Sequence, residues 1–448
     1  MTRPDTEVGS GNELSLGALA RRSASWTVLG QIASQGLRLI SSIILARLLF
    51  PEAFGLTAIV GVFLFGLAML SDVGISQSIV QNRRGDHPDF LNTAWTMQVI
   101  RGGMIGFAAL LLAWPVAKFY GEPQLLVLIA VGGLGPVLQG FASVSIHTQQ
   151  RRLVLGPNVR LELMTQVIQA IITIIWALIH PSAWALVGGT IAGHLANTIF
   201  SHIFLPAFRH GFCWDGDAAR EVFKFGRWIF FSSALTFVAL QTDRLLLGHY
   251  LGFAVLGIYT IALRLTEALN GLQTRLTYAV LFPFFSQIAR SDSKALVDRY
   301  YRIRLPMDAL FLPASAFLMI FGADVIDLLY DERYAQAGWM LQVLALQTGM
   351  SLVLGTQETL LFSIGYTYYG FARSLAKAIW IVVGIPVSYH FFGLNGVIWC
   401  VALSEVPTLF VIWAGMIKHK LLRPRFELRA LAIWGFSLAI GYFLRDLF

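Results

Sequence analysis

Leu45-Ala-Arg-Leu-Leu-Phe-Pro-Glu-Ala-Phe-Gly-Leu-Thr-Ala58 sits at the centre of the stretch that decides the fold, Trp26 to Arg84. An apolar segment precedes it, Phe50-Pro51-Glu52 marks a tight turn, and a second apolar segment runs on to Ser71-Asp-Val-Gly-Ile-Ser-Gln-Ser-Ile-Val80. Proline one residue into a new apolar run starts a helix more readily than it continues one. The stretch therefore reads as a membrane helical hairpin. A weaker copy follows 202 residues later, where Trp26 falls on Trp228, Leu49 on Leu251, Gly55 on Gly257 and Ile59 on Ile261. Two homologous halves are expected.

Composition extends this reading to the whole chain. Of 448 residues, 56% are apolar and 13% charged, with mean hydropathy +0.67. Soluble domains carry about 25% charged residues. Apolar runs long enough to cross a ~30 Å hydrocarbon core recur along nearly the full length, which gives an all-α polytopic membrane protein. The first 20 residues are polar and lack the apolar core of a cleavable signal. Cys213 and Cys400 are the only cysteines, so neither a structural disulfide nor a metal or redox centre is expected.

The apolar pattern predicts helices over 24–48, 54–80, 91–116, 123–147, 160–179, 183–206, 225–249, 254–284, 303–329, 336–364, 371–391, 395–417 and a short 429–445. The implied division is a cytoplasmic polar tail (1–22), an N-terminal six-helix lobe (23–206), a cytoplasmic linker (207–224), a C-terminal six-helix lobe (225–417) and a basic loop with an extra thirteenth helix (418–448). An even number of helices per half makes the repeat parallel, with a pseudo-two-fold axis along the membrane normal around a central cavity. With a cytoplasmic N-terminus, most of the 33 Lys and Arg fall in loops on one side, including Arg83, Arg84, Arg209, Lys294, Arg304, Arg373 and Lys377. Only Arg47, Lys118, Arg333 and Arg445 fall in loops on the other. The positive-inside rule fixes that orientation and assigns the net charge of +8 to topology; no nucleic-acid partner is expected. The outer loops are too short for an extracellular catalytic domain.

Ionisable side chains inside a bilayer are costly unless they face protein or a wet cavity, so their helical phase matters. Thr27, Gln31, Ser34, Arg38 and Ser42 share one face of the first helix. Thr260, Arg264, Gly271, Arg275 and Tyr278 share one face of the eighth, with Glu267 beside Arg264. Arg264 and Arg275 stand ~16 Å apart along the axis, a ladder of cationic sites. Further polar faces carry Glu162 and Gln166; His194; Ser232, Thr236, Asp243 and Arg244; and Gln347, Ser351 and Glu358. The expected cavity site comprises Arg38, Arg264, Arg275, Gln31, Ser34 and Thr236 for an anionic substrate. Asp72, Glu162, Asp243, Arg244, Glu267, Glu358 and Glu405 are candidates for coupling or gating.

Each polar group also has a plainer reading. Ser, Thr and Gln bond neighbouring helices, Asp72 packs helices, Asp243 and Arg244 form a local pair, Glu405 belongs to a kink at Pro407, and His194 and His202 pack. Gly132, Gly133 and Gly135 before Pro136, and Gly384 before Pro386, are hinge candidates.

Ala46-Arg-Leu-Leu-Phe-Pro-Glu-Ala-Phe-Gly55 with Ser71-Asp-Val-Gly74 resembles the opening of Wzx-type polysaccharide flippases. Phe225-Gly226, Asp243-Arg-Leu-Leu-Leu-Gly248, Leu256-Gly-Ile-Tyr259 and Leu281-Phe-Pro283 are similar to that family's second-half signature. The resemblance implies the multidrug/oligosaccharidyl-lipid/polysaccharide exporter superfamily, in which two six-helix lobes face each other across a cavity. It further implies a transporter of the bacterial inner membrane, not an enzyme, that moves undecaprenyl-diphosphate-linked oligosaccharide by alternating access. No cofactor is implied; the drive is an H+ or Na+ gradient, and the partners are the bilayer and a polysaccharide polymerase with its export machinery. Many relatives have fourteen helices, whereas the last predicted helix here is the thirteenth. A drug/cation antiporter of the same superfamily and a membrane polysaccharide polymerase or ligase are the competing readings.

Overall fold

In the computed structural model the chain is all-helical; residues 10–152, 154–206, 208, 210–291 and 295–447 are described. Residues 1–9, Arg209 and Lys294 lie outside the described residues, as do the side chains of residues 10–25 and 223–232, Ser232 and Trp228 among them.

The elements follow in chain order. They are α1 (Ser10–Leu48), α2 (Pro51–Leu70), α3 (Ile75–Gln81), α4 (Pro88–Tyr120), α5 (Gln124–Gly132), α6 (Leu134–Gly140), α7 (Ser145–Arg151), α8 (Gly156–Ile179), α9 (Ala183–Ile203) and α10 (Gly216–Leu276). A π-helical turn (Thr277–Leu281) leads into α11 (Phe282–Ser291), then α12 (Leu296–Leu329), a 3-10 turn (Glu332–Tyr334), α13 (Gln336–Ser363), α14 (Tyr368–Ala402), α15 (Glu405–Lys418) and α16 (Pro424–Leu447). Among the described residues nine helices are long and apolar enough to cross a membrane, or ten if the bent pair Gln124–Gly140 and Ser145–Arg151 is one span. Two of the nine are themselves interrupted by a non-helical glycine, Gly252 (φ 79°) in α10 and Gly393 (φ 57°) in α14. These positive φ values suit glycine alone.

Local chemistry accounts for several boundaries. Phe50 is extended, Pro51 opens α2 and Glu52 lies in its first turn, where a carboxylate complements the helix dipole. The expected helix 54–80 instead ends at Leu70, because Gly74 is left-handed (φ 72°) and its N–H donates to Asp72 Oδ1 at 3.0 Å. The helix expected over 123–147 is broken at Gly133, as its glycines predict, but its 56° bend falls between α6 and α7. Pro386 lies inside α14, and the interruption there is at Gly393. The expected tail 1–22 is helical from Ser10 onward, and α12 begins at Leu296, so Arg304 is a helix residue and not a loop charge.

The two halves of the sequence meet through α2 and α10, which pack along each other. A Cβ added at Gly55 would lie 1.9 Å from the Phe253 carbonyl oxygen, and one added at Gly257 would lie 1.8 Å from the Pro51 carbonyl oxygen. Both contacts obey the 202-residue offset seen in the sequence: Gly257 corresponds to Gly55, and Phe253 to Pro51. Ile59 and its counterpart Ile261 are both fully buried in one cluster with Leu49, Leu256 and Tyr259. The contact is reciprocal, as at a two-fold interface.

At the same end Arg333 Nη2 donates to the Ala46 and Arg47 carbonyls at 3.2 and 3.0 Å, and Tyr334 Oη donates to Leu49 O at 3.0 Å. These groups satisfy carbonyls that the C-terminus of α1 would otherwise leave bare. Hydrogen bonding from Arg333 holds the Asp331 carboxyl below its usual range. Tyr120 Oη likewise donates to Leu245 O at 3.0 Å. At the opposite end Arg84 Nη2 donates to Asp215 Oδ2 at 2.6 Å, lowering the Asp215 pKa, and Arg151 Nε donates to Asp86 Oδ2 at 2.9 Å.

The final helix is fastened by charge. Arg304 is 1% exposed; its Nη1 donates to both carboxylate oxygens of Glu427 (2.8 and 3.0 Å), and its Nε lies 3.0 Å from Asp308 Oδ2. Tyr301 Oη donates to Glu427 at 2.9 Å.

Two outcomes are expected. Gly55→Ala or Gly257→Ala should each destabilise the purified protein by about 1–3 kcal/mol through overpacking against backbone. Gly61→Ala, which meets nothing within 4 Å, should leave thermal unfolding in detergent unchanged; equal melting of all three would refute the seam. Glu427→Ala leaves Arg304 paired with Asp308 alone and strips the carboxylate partner of Arg304 Nη1 and Tyr301 Oη, which should cost about 1–3 kcal/mol, read as a lower melting temperature and faster proteolysis after α15.

Candidate functional site

Beside the glycine seam opens a cavity of about 1020 Å³ lined by α1, α2, α8, α9 and both legs of α10, with Gly132 and Pro136 from α5 and α6. It draws on both halves of the sequence. Its charged lining consists of Arg38, Arg244, Arg264 and Glu267. Amides crowd around them: Gln31, Gln35, Gln139, Gln166, Gln169 and Gln241.

Arg264 is the best-positioned cation. Its Nη1 donates to Ser42 Oγ at 2.9 Å, and its guanidinium lies 5.2 Å from the centre of the Phe54 ring. The α1 and α10 faces predicted from helical phase thus meet at one hydrogen bond. Ser34 is buried and accepts from Gln166 Nε2 at 2.9 Å. Arg38 is exposed to the cavity and stands 4.0 Å from Glu162, a loose pair between exposed groups that contributes little. Glu162 does not line the cavity; it accepts from Gln166 at 3.3 Å.

The partners of Glu267 and Asp243 lie across the two legs of α10. Glu267 bonds Arg244, not its helix neighbour Arg264. Asp243 and Arg244 do not pair with each other, because adjacent helical residues point about 100° apart; Asp243 instead accepts from Tyr259 Oη at 2.6 Å, away from the cavity. The cationic ladder also stops short. On α10 the cavity lining ends at Gly271, beyond which α13 packs alongside, with Gln273 Nε2 donating to Leu352 O at 2.7 Å. Arg275 is left exposed and lines neither cavity. Asp72 serves the turn after α2 and faces Arg101 at 4.0 Å, fitting the packing alternative.

A second cavity, about 820 Å³, lies among α10, α13, α14 and α15. Thr236, Glu358 and Glu405 line it together with Arg373 and Lys377. Glu405 is fully buried and accepts from Arg373 Nη2 (2.9 Å), Lys377 Nζ (2.7 Å) and Thr408 Oγ1 (2.7 Å), while Arg373 Nη1 donates to Glu358 Oε2 at 2.5 Å. The sequence counts Arg373 and Lys377, near the start of the predicted helix 371–391, with the cytoplasmic charges. Their spacing of four was the available signal, since it sets both on one helical face. His194 lines the first cavity, whereas His202 donates to Phe141 O at 2.9 Å.

A sealed end between two halves, with a polar, net-cationic cavity behind it, defines a membrane transporter rather than a channel of uniform bore. The sequence matches the polysaccharide biosynthesis protein family over residues 44–339, and the chain belongs to that family, in keeping with its resemblance to the Wzx-type polysaccharide flippases. It is similar to the lipopolysaccharide biosynthesis protein WzxC of Escherichia coli (strain K12), 23% identical over 88% of this chain and 80% of that one. It is 24% identical to the succinoglycan biosynthesis transport protein ExoT of Rhizobium meliloti (strain 1021), over 80% of this chain and 72% of that one. In fold it resembles the lipid II flippase MurJ in an inward closed conformation (TM-score 0.72, 13% identity, covering 94% and 93% of the two chains). An inward-facing multidrug transporter of the MATE family superposes with TM-score 0.63 at 13% identity, covering 91% and 98%.

The two arginines separate a cavity role from mere helix polarity. Arg264→Ala should lower the polysaccharide output of the producing strain about tenfold, a ~1.4 kcal/mol effect, at unchanged protein level. Arg275→Ala should leave it within about twofold. The reverse order would overturn the site as drawn.

Proposed function

We propose that the protein flips polyprenyl-diphosphate-linked oligosaccharide repeat units across the bacterial inner membrane for exopolysaccharide or lipopolysaccharide synthesis. The observation that carries this reading is the imbalance of the first cavity, where three guanidinium groups face one carboxylate. Moving a diphosphate through a bilayer requires groups that replace its water, and planar guanidinium forks do so through paired hydrogen bonds. A drug/cation antiporter would need the opposite imbalance.

The mechanism is alternating access of two six-helix lobes, 23–206 and 225–417, with the N-terminus cytoplasmic and the extra C-terminal helix beside the second lobe. The seam at Gly55 and Gly257 is the periplasmic closure, and the headgroup enters from the side bearing Arg84 and Asp215. The polyprenyl tail stays in lipid while the headgroup crosses, so binding and rocking suffice and no covalent step is needed. An H+ or Na+ gradient resets the cycle.

Reconstitution tests the proposal. Proteoliposomes of the purified protein should move a fluorescent polyprenyl-diphosphate oligosaccharide between leaflets, and deletion of the gene should leave the lipid-linked unit in the cytoplasmic leaflet. Drug resistance conferred on a sensitive host without flipping would favour the antiporter. Accumulation of unpolymerised units in the periplasmic leaflet would favour a polymerase.

A further inference from the structure

In its chemistry the second cavity differs from the first. Its four ionisable side chains consume one another: Arg373 bonds Glu358 and Glu405, and Lys377 bonds Glu405. Two cations against two carboxylates leave no net charge, so nothing here draws an anion. The remaining polar lining is dominated by hydroxyls, including those of Thr274, Ser351, Thr359 and Ser374, each able to donate and to accept. Three aromatic rings also line the cavity with half or more of their surface free: Tyr278 at 50%, Tyr368 at 70% and Phe371 at 50%. Rings left open in a hydroxyl-rich, uncharged pocket suit a ligand with apolar flat faces and polar edges, and a pyranose has that shape.

The two cavities adjoin along the same helix. On the first leg of α10, Leu240 lines the second cavity and Gln241 the first; on the second leg, Ala268 and Gly271 line the first and Asn270 the second. A headgroup held by Arg264 could therefore extend past α10 into the neutral pocket.

We infer that the second cavity is a carbohydrate subsite, in which Tyr278, Tyr368 and Phe371 stack on the distal sugars of the repeat unit while the first cavity holds the diphosphate. This rests on the flippase reading and assigns it a second site, one that measures the length of the glycan. The paired carboxylates and cations around Glu405 would supply charged hydrogen bonds to sugar hydroxyls without attracting phosphate.

Two lipid-linked probes distinguish the subsite from the reading on which it rests. One is a fluorescent polyprenyl-diphosphate carrying a single hexose; the other is the polyprenyl-diphosphate-linked repeat unit extracted from the producing strain. In proteoliposomes the Tyr368→Ala/Phe371→Ala double variant should flip the repeat unit about tenfold more slowly than the wild type and the single hexose within about twofold, since a tenfold change corresponds to one or two lost stacking contacts. Tyr368→Phe/Phe371→Tyr, which keeps both rings, should restore flipping of the repeat unit. Arg264→Gln should slow both probes alike. If the alanine variant slows both probes equally, or neither, the carbohydrate subsite is overturned while the flippase reading stands. If the wild type flips neither probe, both fail together.

Discussion

Two backbone approaches, Gly55 to Phe253 and Gly257 to Pro51, are the constraint from which the rest of the arrangement follows. Carbonyl oxygens lie where a Cβ would otherwise stand, 1.9 and 1.8 Å from its position, so α2 and α10 touch at the main chain and no side chain can separate them. In a bilayer, where apolar burial gives little drive between helices, small residues that permit such contact are a main source of association. The contact closes one end only. Away from it the first-half helices α1 and α2 and the α10 legs carry side chains of full size, and the space they enclose is the first cavity. Arg333, Tyr334 and Tyr120 then satisfy the carbonyls at that closed end.

Charge is distributed just as unevenly. Arg304 lies against Asp308 and Glu427, and Arg373 and Lys377 lie against Glu358 and Glu405, so each of these buried cations has a carboxylate within hydrogen-bonding distance. An unbalanced charge in such surroundings is costly. The surplus of positive charge in the first cavity falls where both halves contribute to the wall, in a space that water or a ligand can fill. Elsewhere the ions fasten helices, as Glu427 fastens α16 to α12.

Much of this was legible in the sequence because the membrane simplifies the code. Long apolar runs have few alternatives to a helix, and the offset that aligned Gly55 with Gly257 proved to be the offset of their contact. Helical phase was sound where a helix stays in one environment, as for Arg38 and Arg264. It was misleading for Arg275, because phase says which face a residue occupies but not how far along the helix that face remains open. Pair choice was harder still. Nothing in the chain order tells Glu267 to bond Arg244 across the two legs of α10 rather than Arg264 one turn away. Arg304, Arg373 and Lys377, near the starts of the predicted helices 303–329 and 371–391, count with the cytoplasmic charges when only topology is asked of them, whereas the fold pairs all three with carboxylates inside the bundle.

The difference between the two cavities bears on how a closed seam and a long headgroup can coexist. A single cationic chamber could hold a diphosphate, but a strong field along the whole path would retain the anion at every step. Adjacent chambers, one with surplus positive charge and one electrically balanced, divide affinity from accommodation. In the proposed cycle the diphosphate would be held at Arg264, which is tied to α1 through Ser42 and so to the opposite half, and the uncharged remainder would rest where the field is weak. The second leg of α10, beyond Gly252, borders both chambers and also carries Gly257 of the seam. Ligand held against it therefore acts on the same rigid element that closes the far end.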